Sequence, residues 1–80
     1  MDIYTFLSLS KEEQANAIAA TDCLSERQEA LFKVKLYAMS DFYVEMFCTE
    51  GEGEVVKFKA FKSRRLLVPY LDNFMASVLA

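Results

Sequence analysis

Lysines and aromatic rings alternate with apolar residues through the middle of this 80-residue chain, and this is the arrangement with the most chemistry in it. The residues are Lys33, Lys35 and Tyr37, then Tyr43, Glu45 and Phe47, then Lys57, Lys59 and Phe61. If three strands present them on one sheet face, the rings can stack bases and the lysines can hold phosphates. The same residues have plainer uses. Cross-strand Lys–Glu and aromatic pairs stabilise an exposed sheet, and lysine stems lie over rings and shield them from water. A tyrosine- and phenylalanine-rich face with a lysine rim also suits a homodimer interface. The net charge of −3 supplies no general attraction to nucleic acid or to an acidic membrane surface. Protein–protein contact through this face or a C-terminal helix, self-association first, is therefore expected, with single-stranded nucleic-acid binding through this face as the alternative.

The remaining reactive side chains form no recognisable site. The chain has no histidine, which removes the usual Cys/His zinc sets and any Cys–His or Ser–His base pair. Cys23 and Cys48 are far apart in the chain and no secretory signal marks it, so both are expected as reduced thiols. Cys48 alternates with a core face and should be inert, since a reactive thiol needs a basic neighbour or a helix start. Glu50, Glu52 and Glu54 alternate with glycine without the aspartate offsets of a calcium loop, and read as a solvated hairpin tip. Arg64 and Arg65 stand before the last apolar segment, either solvated or paired with those glutamates. No glycine-rich phosphate loop is present. No cofactor, no metal and no catalytic residue is expected, and the chain reads as a non-enzyme.

These residues need elements to position them. Asp2 can cap a first turn, and Ser10-Lys11-Glu12-Glu13 is a capping box opening an alanine-rich helix that runs to about Ala20. Cys23 to Arg27 suits a short strand, with Gln28-Glu29-Ala30 as a turn. Leu31 to Met39, Phe42 to Thr49 and Val55 to Lys62 each alternate with a period of two, the signature of a strand. Ser40-Asp41 and Glu50 to Glu54 are the connections between them. Leu67, Tyr70, Leu71, Phe74 and Val78 have helical spacing, with Ser63 as a cap and Pro69 at a kink or in the first turn.

The expected architecture is a single α+β domain over residues 1–80. One or two N-terminal helices lead into a three- or four-stranded antiparallel β-meander and then a C-terminal helix, with the helices packed on one sheet face. That covered face would hold Phe32, Val34, Leu36, Phe42, Val44, Met46, Val56 and Phe58. An apolar content of 54% is high for so short a chain and implies more apolar surface than one copy hides. The Met1-Asp2-Ile3-Tyr4 start lacks a basic n-region and a long apolar h-region, so no signal peptide is expected. No apolar run reaches the length of a membrane span.

Leu36-Tyr37, Asp41-Phe42-Tyr43-Val44-Glu45, Phe61-Lys62-Ser63 and Pro69-Tyr70-Leu71, with Ser10 to Gln14 in the first helix, resemble a group of very short uncharacterised bacterial proteins. The resemblance covers about residues 10–72. It implies the helix–sheet–helix order and a bacterial cytoplasmic setting, and carries over no functional residue.

Overall fold

The computed structural model describes residues 1–70. Two short helices, α1 (Ile3–Ser8) and α2 (Lys11–Ile18), precede four strands, β1 (Cys23–Glu29), β2 (Phe32–Ala38), β3 (Tyr43–Thr49) and β4 (Val55–Phe61). A 3-10 helix, η1 (Arg64–Tyr70), follows. Both N-terminal helices begin at the expected caps. The Asp2 carboxylate accepts the Thr5 N–H at 2.8 Å, and this bond holds its pKa below the ordinary carboxylate range. In α2 the Ser10 hydroxyl accepts the Glu13 N–H at 3.2 Å while the Glu13 carboxylate accepts the Ser10 N–H at 3.0 Å. The Gln14 side-chain amide donates to the Phe6 carbonyl at 3.0 Å and joins the two helices.

The strands form one antiparallel sheet in the order β1-β2-β3-β4, the meander that the alternating runs imply. β1 is longer than expected. Glu29 pairs with Phe32, so Gln28 and Glu29 belong to the strand and only Ala30 and Leu31 make the turn. Ala30 has φ of 54°, at a hairpin position that ordinarily takes glycine. At the β3–β4 hairpin Thr49 organises the loop: its hydroxyl accepts the Glu54 N–H at 3.0 Å and its carbonyl accepts the Gly53 N–H at 3.0 Å.

Register decides which side chains share a face, because directly opposed residues point the same way. Leu36 opposes Glu45, Val34 opposes Phe47 and Tyr37 opposes Val44. Even-numbered residues of β2 therefore lie with odd-numbered residues of β3, and the expected single covered face is corrected. Tyr37, Val44, Met46, Phe58 and Ala60 meet Phe6, Ile18 and Phe42 under α1 and α2. Leu36, Phe61 and Tyr43 meet Tyr70 and Leu67 of η1 on the opposite face. Val34 and Leu36, expected under the N-terminal helices, are fully buried on the η1 side, where Phe32 is half-buried. Helical elements thus cover both faces of the sheet. Val56 falls at a register shift beside Phe47 and Cys48, and it is exposed where a core residue was expected.

η1 accommodates Pro69 because a short 3-10 segment lacks the long ladder of α-helical bonds that proline breaks. The Ser63 hydroxyl accepts the Arg65 N–H at 3.3 Å and caps it, as expected. Leu71, Phe74 and Val78 of the expected C-terminal helix lie outside the described residues. Among the described residues no helix is long and apolar enough to cross a membrane.

An L-residue with positive φ carries a local penalty that glycine avoids. Ala30→Gly is expected to raise the unfolding free energy by about 0.5–1 kcal/mol in chemical denaturation with an unchanged denaturant slope. An unchanged or lower midpoint would contradict the turn geometry.

Candidate functional site

The sheet register separates the lysine-and-aromatic residues into two groups. Lys33, Lys35 and Tyr37 lie on the α1/α2 face, opposite Cys48, Met46 and Val44. Tyr37 belongs to the core there, and burial pushes its phenol pKa up. Tyr43, Glu45, Phe47, Lys57, Lys59 and Phe61 share the η1 face. These six stay together, but they do not form an open platform. Phe47 and Phe61 are buried, and Tyr43 stacks on Phe61 with ring centroids 5.6 Å apart. The Lys57 ammonium sits 4.5 Å from the centre of the Phe47 ring, while Phe32 meets the same ring edge-on. The rings already have partners, so base stacking would require them to be uncovered first. Lys57 and Lys59 remain exposed.

Glu45 is the centre of this face. It is only 2% exposed, and a buried carboxylate must be paired and hydrogen-bonded. Its Oε2 accepts from Arg27 Nη2 at 2.9 Å and Nε at 3.2 Å, and from the Tyr70 hydroxyl at 2.6 Å. Arg27 stands on β1, two strands from β3, so its side chain and that of Glu45 together bridge about 10 Å of sheet. Arg27 does this by passing over its own neighbour Val34 and along the Phe47 ring, whose centre is 6.0 Å from the guanidinium carbon. The centre of the Tyr70 ring lies 5.6 Å from the same carbon. Arg27 also pairs with Glu29 at 2.8 Å. Burial pulls the Arg27 pKa down, but the bonds to Glu45 and Tyr70 outweigh it and the net direction is up. Burial raises the Tyr70 phenol, and its bond to the Glu45 carboxylate raises it further, with Arg27 acting the other way.

This cluster closes a face; it does not expose a reagent. Tyr70 is fully buried, the carboxylate is engaged and the Arg27 side chain is four-fifths covered. Arg27 and Tyr70 were not among the residues singled out from sequence. Glu45 was, as the single carboxylate among lysines and rings, and a carboxylate so placed in an apolar strand demands a cation nearby.

The other candidate residues are placed as follows. Cys48 is buried and Cys23 is exposed, and both are free. Glu50, Glu52 and Glu54 form an exposed hairpin tip, where Glu50 accepts a hydrogen bond from the Gln28 side chain. Among the described residues no group of three or more acidic or cysteine side chains could hold a metal ion. Arg64 and Arg65 lie at the opposite end of β4 from that tip and do not pair with it. No family model, curated protein or solved structure matches the chain.

Removing one partner of a buried pair leaves an uncompensated charge. Glu45→Gln is expected to cost about 2–4 kcal/mol in denaturant titration, the lower end reflecting the partial exposure of Arg27. A loss under ~1 kcal/mol would place the pair in the class of surface bridges. The raised phenols fix the sign of the alkaline response. Stability from a group with a raised folded pKa is complete below its unfolded value, ~10 for tyrosine, and is lost as pH rises towards the folded value. Unfolding midpoints should therefore fall above about pH 10, and less steeply in Tyr70→Phe, which removes one of the two raised phenols named here, Tyr37 and Tyr70.

Proposed function

We propose that the chain is a small non-catalytic interaction module that works through protein–protein contacts and associates with itself through α1. The observation that carries this reading is the apolar side formed by Tyr4 and Leu7 of α1, 77% and 56% exposed and three residues apart, with Met1, 57% exposed, just before the helix. Phe6 of the same helix is fully buried, so α1 is apolar on its inner and outer sides alike. With Thr5 and Ser8 as its polar residues, the helix carries exposed apolar side chains beside its buried one, a patch that a second surface can cover. A second copy suits this helix because Ile3–Ser8 carries no charged side chain, and two copies approach without like-charge repulsion.

The size of the patch sets the strength. Three such side chains contribute roughly 300–400 Å² per copy, about half of what one partner buries in a standard stable interface. Association is accordingly weak and concentration-dependent. The setting is taken as a bacterial cytoplasm. An exposed free thiol at Cys23 fits a reducing compartment, as does the resemblance stated above. Single-stranded nucleic-acid binding is the weaker reading, because the rings it needs are already packed.

Light scattering should show the mass rising from one chain towards two as concentration passes through the high micromolar range. Tyr4→Lys with Leu7→Lys should hold the protein at one chain without loss of folding. A single-chain mass for the unaltered protein across that range would contradict self-association. Salt-sensitive binding of mixed single-stranded oligonucleotides would transfer the assignment to nucleic acid.

A further inference from the structure

We infer that the cleft between the β2–β3 turn and the β4–η1 connection binds a small anion, a phosphate or carboxylate group carried on a small apolar or aromatic body. The cleft has a volume of about 340 Å³ and is lined by Met39, Ser40, Asp41, Tyr43, Lys62 and Arg64, among others. That volume lies within the range of small-molecule sites, at its lower end.

Its chemistry is lopsided. Two cations and one carboxylate line it, leaving one positive charge uncompensated. Lys62 faces Asp41 at 3.5 Å, and both side chains are more than half exposed, so the pair is loose and screened. Arg64 has no hydrogen bond or ion pair to another described side chain. Nor does Arg64 serve the stability of η1, because a cation in the first turn opposes the local dipole. A planar guanidinium with free donors suits a two-oxygen grip on phosphate or carboxylate, with Lys62 as a second point charge. Two of the other donors nearby are committed. The Met39 N–H goes to the Phe42 carbonyl at 2.8 Å, and the Ser40 hydroxyl to the Met1 carbonyl at 3.0 Å. Tyr43 is held in place by its stack on Phe61 and offers an apolar wall for the body of the ligand.

The two sources of this chemistry are separable with three probes, inorganic phosphate, phenyl phosphate and benzoate, titrated into the full chain at constant ionic strength and followed by amide NMR. Saturable shifts confined to residues 38–43 and 61–65 are expected for phenyl phosphate or benzoate. The stronger of the two identifies the anionic group, and inorganic phosphate should bind more weakly because it lacks a body to rest on Tyr43. Arg64→Ala, at an exposed site where folding is not at stake, should weaken the binding about tenfold, the loss of a charge-assisted hydrogen bond. Lys57→Ala, outside the cleft, should leave it unchanged. Shifts that do not saturate, that spread over all lysines and arginines, or that survive Arg64→Ala would overturn the inference.

Discussion

A carboxylate buried in the middle of a sheet must be answered by other parts of the chain, and Glu45 is answered from two distant places. Arg27 reaches it across β2 from an edge strand, and Tyr70 reaches it from η1. Three elements separated in sequence are thereby held to one atom. Arg27 also pairs with Glu29, but both its Nη2 and Nε go to Glu45. The Phe47 and Tyr70 ring centres lie within 6.0 Å of the guanidinium carbon, and Tyr70 is sealed from water. The arrangement need not add net stability, since a buried ion pair can be matched by apolar side chains of the same volume. What it does is specify position. It fixes where β1 sits along β2, and where η1 comes to rest.

The two faces of the sheet are held together differently. Under α1 and α2 the contacts are apolar, with Phe6 against Phe42 and Phe58 in tilted and edge-on geometry. Such packing tolerates apolar substitutions that conserve volume. On the η1 face the apolar residues Val34, Leu36 and Phe61 surround a polar centre that accepts one geometry only. The exposed chemistry of the molecule lies at the margins of both layers. The outer side of α1 and the cleft beside Arg64 lie there, and both hold side chains without internal partners among the described residues.

Strand-by-strand alternation made the elements legible, and with them the α+β class. The pairing of faces was not legible from alternation alone. Grouping by hydrophobicity puts Leu36 with Val44, whereas a two-residue turn at Ser40 and Asp41 requires Met39 to oppose Phe42 and hence Leu36 to oppose Glu45. The turn length was therefore the deciding signal, and it divides Lys33, Lys35 and Tyr37 from the rest of the lysine-and-aromatic set. The shift that exposes Val56 leaves no mark in the sequence, because it depends on how the Thr49 loop closes. The roles of Arg27 and Tyr70 were hidden for a different reason. Each acts on a residue 18 or 25 positions away, and such distance is set by the fold, not by local pattern.

The central claim is that Arg27, Glu45 and Tyr70 act as one unit. A double-mutant cycle on unfolding free energy, with Arg27→Met, Tyr70→Phe and the pair, tests it most directly. Cooperation predicts that the double variant loses clearly less than the sum of the single losses, with an interaction energy of about 1 kcal/mol or more, because either change alone already spoils the Glu45 site. Losses that add to within about 0.3 kcal/mol would show that the two residues stabilise the sheet independently, and would contradict the account.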